Sequence, residues 1–372
     1  MPVNRQKPAV LFHCAGSRQL GLGHLYRCRM LFDNLAGNGS LLTAGPDPDA
    51  AEFLDSSGLP WRQLEERLTG EGLGLELAEI AGNAGTRFVV LDCRDNSREF
   101  VMALHQSGLT VIDLEDNGPG RLGADVLIDP HIQPGSHEAA YPGRADCCFG
   151  PGWALIDPVY ARLHREINTD GAHRTGNSGP LNVTVSLGGS DASGLTARIV
   201  ELLAKVETGL AIDVVLGPAA TADPLPSAGS HRLTVHRGIP GLAGLLTHCG
   251  LAFVSGGITM FESLCLGVPT AVVPQHEEQY LNASRLARRG ALIVAPPPGD
   301  EEAAVGLEVV VRETCADSTL RNTIGAAGFS LVDGLGMEQL ASRLNCLTGQ
   351  NEDPFHAALP GWKQTGKESR VG

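Results

Sequence analysis

The chain has 372 residues, of which 42% are hydrophobic and 19% are charged, a composition typical of a globular protein rather than a disordered one. This length exceeds one ordinary hydrophobic core and predicts two domains. The formal net charge of -14 argues against a general binder of nucleic acid or of anionic membranes. We see no signal peptide after the start MPVNRQKP and no long apolar span, so we expect a cytoplasmic protein with no integral membrane segment. The nine cysteines form no CxxC motif, which favours reduced thiols.

Strands and helices alternate through the first half of the chain. Short apolar runs predict strands at residues 7–14, 40–45, 87–93, 109–116 and 124–130. Helical spacing of apolar residues predicts helices between several of them, for example over 24–37 and 97–108. Because the strands are apolar throughout, this alternation indicates a parallel sheet that is covered on both faces.

A second alternating series begins after residue 180. The stretch 150–166 interrupts the first series, and the glycine-rich polar segment 168–180 that follows is the best linker candidate. Further strands are predicted at 182–189, 211–218, 232–238, 251–257, 269–275 and 291–296. We therefore predict two Rossmann-like α/β domains at 1–150 and 181–347, a connecting helix and linker at 151–180, and a loose tail at 348–372. Ligands of open parallel sheets bind beyond the carboxyl ends of the strands, so the cleft between the domains is the expected site.

The segment GLGHLYRC follows the first predicted strand. It is not a dinucleotide fingerprint, because GxGxxG would place glycine at Tyr26 and no acidic residue ends the next strand. His24 lies near the start of the predicted helix, where the helix dipole disfavours a protonated imidazole. A neutral imidazole suits a general base, although a structural capping role is the alternative.

The segment VSLGGSD places two glycines at the end of a predicted strand. Gly188 and Gly189 would let a phosphate approach the backbone, and the Ser190 hydroxyl can donate a hydrogen bond to it. The alternative is a plain tight turn. Asp191 then caps the following helix.

The segment SGGITMFES repeats this arrangement in the second series. Gly256 and Gly257 end a strand, and a helix is predicted to start near Thr259. Glu262, one turn into that helix, can accept two hydrogen bonds from a ribose diol or simply be well placed in the helix dipole. Neutral amides suited to sugar hydroxyls follow the next predicted strand at Gln275, Gln279 and Asn282.

Together, GLGHLYRC, GPGWALIDPVYARL, VSLGGSD and SGGITMFESLCLGVPTAVVPQHEEQYLNA resemble the nucleotide-sugar hydrolases of pseudaminic acid biosynthesis. The spore-coat polysaccharide biosynthesis proteins share this pattern, and the resemblance covers about residues 8–290. More distantly, the second half is similar to the glycosyltransferase that adds N-acetylglucosamine to the peptidoglycan lipid intermediate. The resemblance implies the two-domain glycosyltransferase B fold and a UDP-sugar in the cleft. We expect no cofactor and no metal, since helix N-termini after Ser190 and Gly257 can neutralise the leaving diphosphate.

The same resemblance implies roles for individual residues. His24 matches the catalytic histidine, which in the hydrolases activates water for attack on the anomeric carbon so that UDP leaves. On the UDP side, Glu262 matches the ribose-binding glutamate, the backbone of Ile239 meets the uracil, and the diphosphate turn contains Gly256, Gly257 and Thr259. On the sugar side, the matching positions are Gly23, Asp95, Gln279 and Asn282.

Two stretches depart from the hydrolase pattern. His13 and Cys14 stand where the hydrolases usually carry an arginine and an aspartate, and Cys93-Arg94-Asp95 replaces a stretch that tends to contain a tyrosine. These positions shape the sugar pocket, so the identity of the sugar stays open, as does the oligomeric state. Hydrolysis of a UDP-sugar is the expected activity. The alternatives are a glycosyltransferase that uses a UDP-sugar donor and a non-catalytic nucleotide-sugar-binding protein.

Overall fold

The structure of the protein is a computed structural model. It describes residues 7–14, 23–37, 40–44, 48–64, 68–132, 143, 145–170, 179–189, 191, 193–217, 220 and 224–347, without the side chains of residues 48–50 and 170. The predicted tail at 348–372, most of the predicted linker and Ser190 lie outside these ranges.

Seven parallel strands form the first sheet, in the order β3-β2-β1-β4-β5-β6-β7. They are β1 (Leu11–Cys14), β2 (Leu41–Ala44), β3 (Trp61–Gln63), β4 (Phe88–Asp92), β5 (Thr110–Leu114), β6 (Val126–Asp129) and β7 (Asp146–Phe149). The five inner strands lie within the predicted ones. The edge strands β3 and β7 were not predicted, because WRQ and DCCF are short and carry little of the continuous apolar signal of a buried strand.

Six parallel strands form the second sheet, in the order β10-β9-β8-β11-β12-β13. They are β8 (Leu181–Ser186), β9 (Leu210–Leu216), β10 (Arg232–Arg237), β11 (Leu251–Val254), β12 (Thr270–Val272) and β13 (Ile293–Val294). All six overlap the predicted strands. The predicted pair of parallel α/β sheets is therefore confirmed.

Helices cover both faces of each sheet. They are α1 (Gly23–Leu35), α2 (Pro48–Ser57), α3 (Gly70–Asn83), α4 (Arg98–Gln106), α5 (Pro158–Asp170), α6 (Leu195–Leu203), α7 (Ala243–His248), α8 (Ile258–Cys265), α9 (Glu277–Ala287), α10 (Glu301–Ala316), α11 (Ser318–Leu331) and α12 (Gly336–Leu347). Successive residues of a strand point to opposite faces, so Phe12 joins the core beneath α1 while Leu11 joins the core beneath α3 and α4. This double burial explains why the strands read as continuous apolar runs.

The connection between the two sheets is packed into both domains. In the extended segment 154–156, Leu155 belongs to the core of the first sheet, whereas Ala154 and Ile156 belong to the core of the second. Helix α5 follows and packs on α8, with Tyr160 only 2% exposed. The cavity described below is bordered by this connection.

The last described helix, α12, returns to the first domain. Met337, Leu340 and Leu344 are buried in the core that also contains α1 and β1. Arg343 forms an ion pair with Asp146 of β7. The predicted second domain ran to residue 347, whereas the apolar face of α12 packs on the other sheet, because its 3.6-residue periodicity fits either core equally well.

Candidate active site

The carboxyl ends of both sheets border one cavity of about 460 Å³. Many of its lining residues come directly after a strand, including Glu115 after β5, Leu187 after β8 and Ser255 after β11. Loops at this end of a parallel sheet converge at one edge, so residues distant in sequence meet there.

The cavity brings together most of the predicted site residues. Those that line it are Gly23, His24, Gly188, Gly189, Ile239, Gly256, Gly257, Thr259, Glu262, Gln279 and Asn282. Asp95 is exposed and is not among the lining residues, whereas its neighbour Arg94 is. Ser190 lies outside the described residues.

Hydrogen bonds fix the tautomer of His24. Its Nδ1 lies 2.6 Å from Oδ1 of Asp92, and its Nε2 lies 3.0 Å from Nε of Arg94. The guanidinium can only donate, so Nε2 must accept, and the carboxylate can only accept, so Nδ1 must carry the proton. His24 is therefore a neutral imidazole whose lone pair is on Nε2, the arrangement that a general base requires.

Asp92 ends β4 and has no solvent exposure. Burial alone would raise its pKa, but the charge of Arg27, together with hydrogen bonds from Arg27 and His24, lowers that pKa to about 2. Arg27 binds this carboxylate through Nε at 2.8 Å and through Nη2 at 2.6 Å. The bidentate pair holds Asp92 ionised beneath His24.

Glu115 extends this buried network towards a second histidine. Its carboxylate accepts a hydrogen bond from Arg27, and Nε2 of His131 lies 3.8 Å from its other oxygen. Burial opposes ionisation of Glu115, but the charge of Arg27, with a smaller contribution from the neighbouring His131, holds its pKa below the usual range. Glu115 also has a φ of 53°, a left-handed conformation that a non-glycine residue adopts at a cost and that is common at functional sites.

Glu262, on α8, also lines the cavity. It is 5% exposed, and burial raises its pKa to about 7, against the lowering effect of hydrogen bonds from Tyr160 and Thr259. Tyr160 comes from α5, so this carboxyl group is positioned by the connection between the sheets. A carboxyl group in such a position can accept hydrogen bonds from hydroxyl groups of a bound ligand.

The two glycine turns differ in their free backbone groups. At α6, the Asp191 carboxylate accepts hydrogen bonds from the backbone N–H of Leu195 and of Thr196, each at 3.0 Å, which is the capping role. At α8, Gly257 is the N-cap, and no described side chain caps the helix. The backbone N–H of Met260 donates to the carbonyl oxygen of Gly257 at 3.1 Å, which leaves the first two amides of α8, those of Ile258 and Thr259, available to an anion in the cavity.

Two glutamines lie beside the α8 turn. The side-chain oxygen of Gln279 accepts a hydrogen bond from the backbone N–H of Gln275 at 2.9 Å. The amide oxygen and nitrogen of Gln275 are buried and have no partner among the described residues, although this side chain lines the cavity. Gly256 permits this proximity, since a Cβ there would lie 2.9 Å from Cβ of Gln279. Unsatisfied buried amides at a cavity wall indicate polar ligand groups.

The sequence did not indicate five residues of the site, namely Arg27, Asp92, Glu115, His131 and Glu278, and it indicated Arg94 only as part of a stretch that shapes the sugar pocket. Asp92 could have been found, because it ends a predicted strand at the edge where ligands bind. Arg27 could not, since nothing local in HLYRC pairs it with a carboxylate 65 residues away.

Two broader features concern metals and membranes. Within the described ranges, no group of three or more His, Cys, Asp or Glu side chains is arranged to hold a metal ion. Among the same residues, no helix combines the length and apolarity needed to cross a membrane.

The chain has relatives among known sequences, although no protein-family model matches it. It is 23% identical over 277 residues to an uncharacterized protein of Methanocaldococcus jannaschii, in an alignment that covers 71% of this chain. That alignment spans only 55% of the archaeal protein. It is also 23% identical over 368 residues to the spore coat polysaccharide biosynthesis protein SpsG of Bacillus subtilis, covering 90% of this chain and 97% of that one. The predicted resemblance to spore-coat polysaccharide biosynthesis proteins is confirmed.

Solved structures share the fold. MurG of Acinetobacter baumannii superposes with a TM-score of 0.62 at 16% identity, covering 91% of this chain and 100% of that one. The spinosyn rhamnosyltransferase SpnG complexed with thymidine diphosphate superposes with a TM-score of 0.60 at 16% identity, covering 91% of this chain and 100% of that one. A putative UDP-N-acetylglucosamine 2-epimerase from Listeria monocytogenes superposes with a TM-score of 0.58 at 12% identity, covering 94% of this chain and 99% of that one. The predicted glycosyltransferase B fold is confirmed.

Proposed function

We propose that this chain transfers a sugar from a UDP-sugar to a hydroxyl group during polysaccharide biosynthesis. The observation that carries the proposal is the content of one cavity. It combines a histidine held as a base by Asp92, an uncapped helix N-terminus at Gly257 and a buried carboxyl group at Glu262. These are the groups needed to deprotonate a nucleophile, to hold a diphosphate and to bind a ribose diol.

The proposed reaction is an inverting displacement. The acceptor oxygen attacks the anomeric carbon while its proton passes to Nε2 of His24. The bond from that carbon to the diphosphate oxygen breaks, and its electron pair leaves with UDP. Asp92 stabilises the imidazolium that forms, and the amides at the start of α8 stabilise the departing diphosphate.

The names of two similar proteins support this proposal. The Bacillus subtilis relative is described as a spore coat polysaccharide biosynthesis protein, and SpnG is a rhamnosyltransferase whose structure was solved in complex with thymidine diphosphate. The fold alone does not select transfer, because a putative epimerase shares it. Hydrolysis of a UDP-sugar, which the resemblance to the pseudaminic acid enzymes implied, uses the same groups with water as the nucleophile and is the second candidate.

Binding and product analysis test the proposal. Calorimetry with UDP and with dTDP measures whether a nucleoside diphosphate binds at all. UDP-glucose, UDP-galactose and UDP-N-acetylglucosamine are then incubated with and without a panel of simple glycosides as acceptors. We expect UDP release that depends on an acceptor. Release of free sugar without one supports hydrolysis, binding without turnover supports a non-catalytic protein, and absence of binding contradicts the nucleotide assignment.

A further inference from the structure

One side chain of the first domain bridges the cavity at the point where His24 would act. Arg94 follows β4, and its Nη1 lies 2.5 Å from Oε2 of Glu278 on α9 of the second domain. The other oxygen of Glu278 accepts a hydrogen bond from Nδ2 of Asn117 at 3.0 Å. Glu278 is thus bonded to two loops of the first sheet, and the guanidinium of Arg94 is held against the cavity wall.

The guanidinium of Arg94 also forms a hydrogen bond with the lone pair on Nε2 of His24. Its Nε donates to Nε2 of His24 at 3.0 Å, while Nδ1 of His24 is already committed to Asp92. An imidazole nitrogen that accepts a hydrogen bond from a cation cannot at the same time take a proton from a nucleophile. With Arg94 in this position, His24 is in the correct tautomer but is blocked.

We propose that Arg94 is a masking residue that keeps His24 inactive until a ligand displaces it from Nε2, so that the enzyme prefers a bound acceptor to water. The proposal rests on the proposed function, in which Nε2 of His24 is the base. A single water molecule can replace only one hydrogen bond at a time, so it does not release Arg94 from both His24 and Glu278. An acceptor that carries several hydroxyl groups can supply hydrogen bonds to both charges and release Arg94.

The strength of the bridge is compatible with such a switch. The side chains of Arg94 and Glu278 are 33% and 37% exposed, so solvent weakens their attraction and a polar ligand can replace it. The Arg27–Asp92 pair differs, because both of its side chains are almost completely buried. Arg27 is therefore a permanent support of the site, whereas Arg94 is a removable one.

Chemical modification of His24 tests the mask without any substrate. Diethyl pyrocarbonate acylates an imidazole nitrogen only through a free lone pair, and mass spectrometry measures the rate at His24. We expect the Arg94→Ala variant to be acylated at His24 about tenfold faster than the wild-type protein, because it lacks one hydrogen bond from a charged group. Glu278→Gln, which keeps an acceptor oxygen but removes its charge, should give a smaller increase.

Matched controls come from neighbouring exposed residues. Arg98→Ala at the start of α4 and Glu277→Gln at the start of α9 should leave the His24 rate unchanged, and His164 and His236 serve as internal references for global damage. The proposal would be overturned if His24 were acylated at the same rate in the wild-type protein and in the Arg94→Ala and Glu278→Gln variants. This result does not depend on turnover, so it is separable from failure of the proposed function.

A turnover measurement addresses the preference for an acceptor. With the UDP-sugar that the donor panel identifies, Arg94→Ala should release UDP without acceptor about tenfold faster than the unmodified sequence does. A disrupted fold would only lower this rate, so a gain identifies the mask. Faster acylation of His24 without faster UDP release would show that Arg94 covers the histidine but does not select against water, which contradicts the preference for an acceptor.

Discussion

His24 acquires its chemical state from residues that are distant in the sequence. Asp92, 68 residues later, fixes the proton on Nδ1, and Arg27 keeps that aspartate ionised in a position with no solvent exposure. A buried charge of this kind is stable only while its partner is present. The three side chains therefore form one unit, in which Arg27 and Asp92 position the histidine.

Removal of the imidazole should affect turnover and leave nucleotide binding intact. We expect His24→Ala to lower kcat by about 100-fold or more, since a positioned general base contributes this much to a rate. The Kd for UDP, measured by calorimetry, should stay unchanged because the proposed UDP contacts, at Gly257 and Glu262, do not include His24. His248→Ala, at an exposed position on α7, is the control. Full activity of His24→Ala would remove the histidine from the mechanism.

Glu262 should make UDP binding depend on pH. Its carboxyl group has a pKa of about 7 in the folded protein because it is buried. The ionised form is the better acceptor of hydrogen bonds from ribose hydroxyls. The folded protein holds this proton more tightly than the unfolded chain, so the contribution of Glu262 to stability declines as pH rises from 4.5 to 7. Ribose binding favours loss of the proton, so UDP affinity should rise with pH up to about 7 and then level off.

Calorimetry between pH 5.5 and 8.5 measures this dependence. Below the pKa of Glu262 the affinity should change by up to about tenfold per pH unit. Glu262→Gln should bind UDP more weakly at pH 8 and lose most of the pH dependence. A variant that retains the full dependence would assign the titration to another group.

At the scale of single elements, the two glycine turns show how one sequence pattern yields two different sites. Both VSLGGSD and VSGGITM place paired glycines after a strand and before a helix. Asp191 occupies the first amides of α6, whereas those of α8 have no side-chain partner among the described residues. Gly188, with a φ of 88°, still forms a turn that favours glycine, so its loop can approach a ligand without help from the helix amides.

The free end of α8 should be convertible into a capped one. Gly257→Asp would place a carboxylate over the same amides, and a Cβ at this position meets nothing closer than 3.9 Å. We expect UDP affinity to fall at least about tenfold, while the helix gains a few tenths of a kcal/mol from its new cap. Gly257→Ala adds the Cβ without the carboxylate and should bind UDP almost normally. Equal affinities of the two variants would argue against diphosphate binding at this end.

At the scale of the whole molecule, the cavity depends on how the two sheets are connected. The chain crosses between them at 154–156 and again before α12, which packs on the first sheet. Residues on both crossings lie in cores, so the sheets are joined by apolar packing as well as by the bridge from Arg94 to Glu278. Such connections allow small closing motions about the cavity more readily than complete separation of the domains.

Truncation of α12 packing should destabilise the first domain, not the second. Leu340 has no solvent exposure, and Leu340→Ala should lower the free energy of unfolding by about 2–5 kcal/mol. Hydrogen exchange should increase in peptides from β1 and β2 and much less in those from β8 and β9. Val305→Ala, at a 56% exposed position on α10, should change stability by less than about 0.5 kcal/mol. Increased exchange confined to the second sheet would contradict the observed packing.

The alternation of apolar runs was sufficient to predict both parallel sheets and the edge at which the site lies. Strands buried on both faces carry a strong local signal, as β4 and β11 show, whereas the short edge strands β3 and β7 do not. Several residues that line the cavity from the second domain were predicted from glycine turns and amides that stand together in the sequence, whereas Ile239 followed only from the family resemblance and Glu278 was not predicted. The roles of these residues remain predictions.

The sequence by itself determined the fold class, the placement of His24 after a strand and the glycine turns of the second domain, because periodicity and turn chemistry are local properties. Only the tertiary structure decided that Asp92 and Arg27 set the state of His24, that Arg94 blocks it, and that α12 belongs to the first core. The side-chain contacts join residues 65 to 70 positions apart in the chain, and the packing of α12 is a choice between two apolar cores. No local pattern encodes such a choice, because it depends on which surfaces the folded chain brings together.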